Sequence, residues 1–137
     1  MNVVEIPFVK KVGIKKRDDG CLHLQFGKSV HNHLQSIHAS AQFTLAETAS
    51  GELLQTEFPE LIGNVVPVLR DSQIKFRKPA LKSISAFPSI SDDSIQKFKE
   101  QLLKKGRASI SVSVEVKDSK GSVTSLGVFN WFVQQID

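Results

Sequence analysis

The stretch from Asn32 to Gly51 reads NHLQSIHASAQFTLAETASG, and its periodicity predicts the central element of the fold. At about 100° per residue, one face of a helix over residues 38–57 collects small and apolar side chains. That face carries Phe43, Ala46, Ser50, Leu53 and Leu54. Pro59 follows, and a proline interrupts helical hydrogen bonding. We therefore expect a long amphipathic helix over residues 38–57, ended by Pro59.

Glu47 lies at the edge of the apolar face. Around the helix it falls about 40° from Phe43 and about 20° from Leu54. The polar face is expected to carry Thr44, Thr48 and Glu52. A carboxylate at this edge faces a desolvated pocket or another subunit, where burial would raise its pKa and make it a better general base near neutral pH. Alternatively, the side chain reaches solvent or pairs with a lysine.

The predicted helix begins with small residues directly after His38. Free backbone N–H groups at a helix start can hold an anion or a polarised carbonyl oxygen, and the small side chains of Ala39 and Ser40 would let a ligand approach them. Alternatively, these residues only allow tight packing of helix on sheet. Asn32 precedes them in a predicted loop, where it caps a turn or holds a water molecule.

The rest of the chain is dominated by alternating patterns. Asp19-Gly20 is a hairpin turn signal within residues 12–27. A second, shorter helix is predicted over residues 92–105, because acidic residues lie at its start and Lys-Lys-Gly lies at its end. Strands are predicted within residues 64–78, 82–91, 107–117 and 122–135. Since their alternation leaves one face polar, we expect an α+β fold with an antiparallel sheet packed on the helix.

Length and composition exclude several classes of protein. The chain has 137 residues and a net charge of +4, with ordinary apolar and charged fractions, so we expect a single domain over residues 1–137. Its lone cysteine, Cys21, excludes an intrachain disulfide. Because no apolar run is long enough to cross a bilayer, we expect a cytoplasmic protein that does not enter a membrane. Its lysines and arginines are dispersed, which argues against a nucleic-acid partner.

Three other kinds of site are weaker interpretations. His31, His33 and His38 lack acidic or cysteine ligands at regular spacing, so no metal site is expected. Cys21 has no identifiable partner that would activate a thiol nucleophile. The aromatic residues of the last strand are expected in the core or at a subunit contact rather than stacked on bases; they are Phe129, Trp131 and Phe132.

The run Asn32-x5-His38-Ala-Ser-Ala-Gln-Phe-Thr-Leu-Ala-Glu47 resembles the signature of hot-dog-fold acyl-CoA thioesterases of the phenylacetate-pathway type. It is more similar to a divergent branch, with His-Ala-Ser in place of His-Gly-Gly. The resemblance implies a hot-dog fold, in which an antiparallel sheet of five to six strands wraps around a long central helix, with one extra short helix. If either glycine position requires a positive φ, alanine or serine would cost about 1 kcal/mol or more there.

The resemblance implies the hydrolysis of acyl-CoA-type thioesters. Glu47 falls on the catalytic carboxylate, which acts as general base or nucleophile. Ala39 and Ser40 fall on the residues whose N–H groups form the oxyanion hole. His38 and Asn32 fall on residues that orient the reactants. Thr48 matches a common polar neighbour of the carboxylate.

The resemblance also implies how the substrate and the subunits are arranged. Arg77 and Lys78, in the segment Ile74–Ala80, fall where members of the family often bind the phosphates of coenzyme A. No cofactor is implied, because coenzyme A is part of the substrate. The active site would form between subunits of a homodimer or homotetramer. Two alternatives stay open on the same fold: a non-catalytic protein that binds acyl-CoA, and a dehydratase or hydratase that uses His38 with Glu47.

Overall fold

The computed structural model of the chain describes residues 1–136. Within them, three α-helices and six strands follow one another in the order α1, β1, β2, α2, β3, β4, α3, β5 and β6. The helices are α1 (Pro7–Val12), α2 (Ala39–Glu57) and α3 (Asp92–Lys105). The strands are β1 (Lys15–Lys16), β2 (Leu22–Leu24), β3 (Val65–Phe76), β4 (Ile84–Ser89), β5 (Arg107–Asp118) and β6 (Val123–Gln135).

The six strands of residues 1–136 form one antiparallel sheet in the order β1-β2-β4-β5-β6-β3. The β1–β2 hairpin turns at Gly20, whose φ is +87°. A second tight turn, at Gly121, joins β5 to β6. Strand β3 pairs along its whole length with β6 and forms one edge of the sheet. The predicted α+β architecture is therefore confirmed.

Helix α2 packs on the concave side of the sheet and forms the centre of the core. It contacts β4, β5 and β6. Along β5, residues from Arg107 to Val116 alternate strictly between exposed and buried, as the sequence predicts, so that Val112, Val114 and Val116 point into the core. Leu45 and Ala46 of the helix are fully buried against this surface.

The buried surface of α2 is wider than a single apolar stripe. Thr44 and Thr48, expected on a polar face, are buried, so that expectation is wrong. The reason is tertiary packing: α2 contacts the N-terminal segment and α1 as well as the sheet, and Val3 and Val9 are buried there too. Each threonine hydroxyl donates to the carbonyl four residues earlier, at 2.8 Å for Thr44 and 2.6 Å for Thr48, so neither is left without a partner.

Helix α3 closes one end of the core. Its Ser91 cap accepts from the Ser94 N–H at 3.1 Å, and Gly106 ends it in the left-handed conformation, with φ +73°. Phe98 packs against Phe58 with ring centroids 4.8 Å apart. No helix within residues 1–136 is long and apolar enough to cross a membrane.

Candidate active site on the central helix

One strip of the α2 surface remains accessible to solvent. Between Ala39 and Gly51 the helix is buried except for a few positions at helical spacing. They are Ala39, Ser40, Phe43, Glu47 and Gly51. Residues three, four and seven apart lie on the same side of a helix. The fold therefore presents Glu47 on an accessible strip, hereafter the open stripe.

The Glu47 carboxylate is half-buried on this stripe. Loss of water around it raises its pKa above the usual value for glutamate. Within residues 1–136 no lysine or arginine forms an ion pair with it. One turn earlier, the ring of Phe43 lies against Phe129 of β6, with centroids 5.5 Å apart. Glu47 is thus a desolvated carboxylate beside an aromatic wall, which suits a general base.

A buried hydrogen-bond chain fixes the backbone of Glu47 to the sheet. The Trp131 indole N–H on β6 donates to the Ser50 hydroxyl at 2.9 Å. That hydroxyl donates in turn to the Glu47 carbonyl at 2.6 Å. The turn of α2 that carries the carboxylate is therefore held against β6, and the rigidity favours a functional site.

The N-terminus of α2 supplies one free backbone donor rather than two. The His38 imidazole caps the helix, because its Nδ1 accepts from the Ser40 N–H at 3.0 Å. The Ser40 N–H, expected to serve as an oxyanion donor, is engaged by this cap. The Ala39 N–H has no acceptor among residues 1–136. Neither Ala39 nor Ser40 has a positive φ. Their side chains therefore cause no backbone strain at the two positions where the related signature has glycine.

The side chain of Asn32 organises the loop before α2. Its Oδ1 accepts from the N–H groups of Leu34 at 2.8 Å and Ser36 at 3.1 Å. Its Nδ2 donates to the Ser36 hydroxyl at 2.9 Å. These contacts form the turn that the sequence offered as one of two roles for Asn32, and they occupy both ends of the amide.

Thr48 is not brought to the open stripe. It lies about 100° from Glu47 around the helix and is 4% exposed. Its hydroxyl donates to the Thr44 carbonyl. The structure places Thr48 in the core, beside the carboxylate in sequence but not in space.

Arg77 and Lys78 lie at the end of the molecule that holds the N-terminus of α2. Both are exposed and directly follow β3. Their backbone N–H groups donate to the Thr124 carbonyl, at 2.8 and 3.3 Å. Farther along the same loop, the Ala80 carbonyl accepts from the Ile37 N–H at 2.9 Å. This contact joins the basic loop to the segment that begins α2.

Further lysines make this end of the sheet basic. Backbone N–H groups of Ser122 and Lys120 donate to Asp118 and, with the positive charges of Lys78 and Lys82, lower the pKa of that carboxyl. Lys82 belongs to the same loop as Lys78 and was not singled out in the sequence. Within residues 1–136 no group of three or more metal-ligating side chains comes together.

Residues 6–133 match the family model described as Domain of unknown function (DUF4442). The chain belongs to this family. No curated protein is detectably similar to it in sequence.

Solved structures resemble this DUF4442 protein in fold. PA5026 from Pseudomonas aeruginosa, described as a probable thioesterase, is 24% identical, with a TM-score of 0.84 over 98% of this chain and 91% of that one. BH2602 from Bacillus halodurans, solved with CoA, is 23% identical, with a TM-score of 0.68 over 94% and 78%. Thioesterase HI1161 from Haemophilus influenzae is 12% identical, with a TM-score of 0.75 over 97% and 86%. The predicted hot-dog fold is confirmed by these likenesses.

The sequence did not predict how Ser50 and Gly51 contact Trp131 beside Glu47 in this DUF4442 protein. Ser50 was counted among the apolar positions, whereas it is the hydroxyl that joins Trp131 to the Glu47 backbone. Gly51 lies against the Trp131 ring, where an added Cβ would be 3.3 Å from its nearest atom. Its position four residues after Glu47 was the available signal, because that spacing puts it on the same face.

Proposed function

We propose that this DUF4442 protein hydrolyses acyl-CoA-type thioesters and that Glu47 is its catalytic carboxylate. The observation that carries the proposal is the half-buried Glu47 side chain, unpaired within residues 1–136, on the open stripe of α2. The likeness to structures described as thioesterases, and to one solved with CoA, supports the choice of reaction. The signature around His38 and Glu47 supports the phenylacetate-pathway type, in a branch with His-Ala-Ser.

The reaction requires a carboxylate and a water molecule. As general base, Glu47 takes a proton from water while the water oxygen attacks the thioester carbon. The resulting tetrahedral intermediate collapses, the C–S bond breaks, and the thiolate leaves and takes up a proton, so that the products are a carboxylic acid and free coenzyme A. As nucleophile, Glu47 would form an acyl anhydride that water then hydrolyses. Both routes need Glu47 ionised.

Oxyanion stabilisation is assigned to the Ala39 N–H at the positive end of the α2 dipole. His38 is a positioning residue in this scheme, because its cap orients the first turn. Ala39 and Glu47 are eight residues apart, or about 12 Å along the helix axis. A glutamate side chain is too short to close that distance onto one carbonyl group. We therefore propose that the site combines Glu47 of one subunit with Ala39 of another, in a homodimer or homotetramer.

The basic loop is proposed to bind the phosphates of coenzyme A. Arg77 and Lys78 are exposed and adjoin the segment that begins α2. Phosphates anchored there would place the thioester near the Ala39 N–H. Arginine suits bidentate phosphate contacts, and lysine supplies a point charge.

Binding without turnover is a second candidate function. The Ser40 N–H is engaged by His38, which leaves one helix-terminal donor where the related signature implies two. A site with a weaker oxyanion hole could hold an acyl-CoA and release it unchanged. No contact favours the dehydratase or hydratase reading, in which His38 would act with Glu47.

The proposal is tested by free thiol release from a panel of acyl-CoA substrates. The Glu47→Gln variant should lose about 10²-fold or more of kcat, because a general base contributes that much. Glu57→Gln is the matched control, an exposed glutamate on the same helix, and should keep wild-type rates. Equal rates for Glu47→Gln and wild type would exclude the role of Glu47. Binding of acyl-CoA by wild type with no thiol release would favour the second candidate.

A further inference from the structure

An apolar cavity of about 480 Å³ begins where the open stripe ends. Gly51 lies on its wall, one helical turn beyond Glu47. The volume falls within the range of small-molecule sites in proteins. The cavity therefore starts about one helical turn from the Glu47 carboxylate.

The cavity wall is mainly hydrocarbon and comes from most of the elements around the C-terminal end of α2. Val3 and Ile6 of the N-terminal segment contribute to it, together with α2, α3, β6, β3 and the segment that joins α2 to β3. The residues that shape it are Leu54, Phe58, Phe98, Trp131 and Val133. Among the residues that the structure describes, no charged side chain lines it, and its one cationic group is the N-terminal ammonium of Met1.

Gln55 is the polar side chain on this wall, and it is already engaged. Its amide donates to the Met1 carbonyl at 3.2 Å and accepts from the Met1 nitrogen at 3.1 Å. A hydroxyl on a ligand would lose its water and would have to compete with this existing contact. The cavity therefore discriminates against acyl groups that carry a hydroxyl.

We infer that this cavity binds the acyl chain of the thioester, and that the preferred chain is an aliphatic one without hydroxyl substituents. This inference rests on the proposed function, because it takes the thioester carbon to lie at Glu47. From Gly51 to Phe58 the cavity wall runs along about 10 Å of helix. Affinity should therefore rise with chain length and then level off once Phe58 and Phe98 are reached.

The test is calorimetric titration of the Glu47→Gln protein, which binds without turning over, with coenzyme A and with butanoyl-, hexanoyl-, octanoyl-, decanoyl- and dodecanoyl-CoA. Affinity should increase about fourfold per buried methylene, then reach a plateau. 4-Hydroxybutanoyl-CoA should bind no better than coenzyme A. Equal affinity for all chain lengths, or a gain for the hydroxybutanoyl group as large as for butanoyl, would overturn the inference.

Two variants in the same background localise the effect. Val65→Phe enlarges a partly exposed wall residue on β3, where an aromatic residue is well tolerated, and should reduce the affinity of the long chains toward that of coenzyme A. Ile62→Asp adds a charge to a half-exposed wall residue and should weaken long-chain binding alone. Leu103→Asp, on the exposed face of α3, is the control and should change nothing. A chain-length gain that survives both cavity variants would contradict the assignment.

Thiol release by the wild-type chain separates this inference from the proposed function. Chain-length-dependent binding without any thiol release would reject hydrolysis and support the cavity. Thiol release at rates independent of chain length, with flat binding, would support hydrolysis and reject the cavity.

Discussion

The fold keeps the Glu47 carboxylate partly out of water, and no lysine or arginine among residues 1–136 pairs with it. Its environment follows from its place on α2, between the aromatic wall of β6 and the open side of the helix. Helical spacing in the sequence predicts this edge position correctly. It does not predict the contact of Ser50 with Trp131, because those residues are 81 apart in the chain and meet only through tertiary packing.

The raised pKa of Glu47 makes stability depend on pH. The folded state holds the proton more tightly than the unfolded chain, so the stabilising contribution is complete below the usual glutamate pKa and is lost as pH rises through the raised one. Glu47→Gln removes this dependence. In urea unfolding across that pH range, wild type should lose stability relative to Glu47→Gln as pH rises, while Glu57→Gln follows wild type. A difference that stays constant with pH would contradict the burial of this carboxylate.

Ser50 supports the site through one hydroxyl. Ser50→Ala would leave the Trp131 N–H buried without an acceptor, which costs about 1–3 kcal/mol of unfolding free energy. Thr56→Ala is the comparison, since it removes an exposed hydroxyl of the same helix and should change stability by about 0.5 kcal/mol or less. Urea unfolding followed by Trp131 fluorescence measures both. Equally small losses of stability in the two variants would mean that the hydrogen bonds that join Trp131 through Ser50 to Glu47 contribute nothing to the free energy of unfolding.

Elements with a complete local signal could be predicted from the sequence. Strand β5 alternates without a break, and α3 has acidic residues at its start and Lys-Lys-Gly at its end. Helix α1 was not predicted, because six residues are too few to show a periodicity. The burial of Thr44 and Thr48 was missed for a different reason: it depends on the tertiary packing around α2, which includes a segment more than thirty residues earlier in the sequence.

The backbone N–H of Ala39, the first residue of α2, can be removed by a substitution that the helix tolerates. Proline is favoured at the first helical position, and His38 before it has ψ 139°, which is compatible with a following proline. Ala39→Pro should therefore keep the fold and remove the one free N–H, with an expected loss of about 10²–10³-fold in kcat. Ala39→Gly keeps the N–H and should retain activity. Full activity in Ala39→Pro would exclude this N–H as the oxyanion donor.

The whole molecule has an open side where α2 and strand β3 lie. β3 is a long edge strand, and apolar side chains along it are exposed, including Val66, Val68 and Phe76. Such an edge is a template for pairing with another chain. The separation of Ala39 from Glu47 gives an independent reason for a second subunit. The separation follows from residue spacing on the predicted helix, whereas the exposed apolar side chains of β3 could not be predicted from residue patterns, because they depend on which surface the fold leaves uncovered.

Complementation between inactive subunits tests the two-chain site most directly. Glu47→Gln and Ala39→Pro chains, each inactive alone, would be co-expressed with different tags, and the mixed oligomers would be purified through both tags. A mixed dimer has one site in which the intact Glu47 of one chain meets the intact Ala39 N–H of the other. Thiol release should therefore return to about half of the wild-type rate per mixed dimer. Mixed dimers that stay as inactive as their parents would contradict a site shared between subunits.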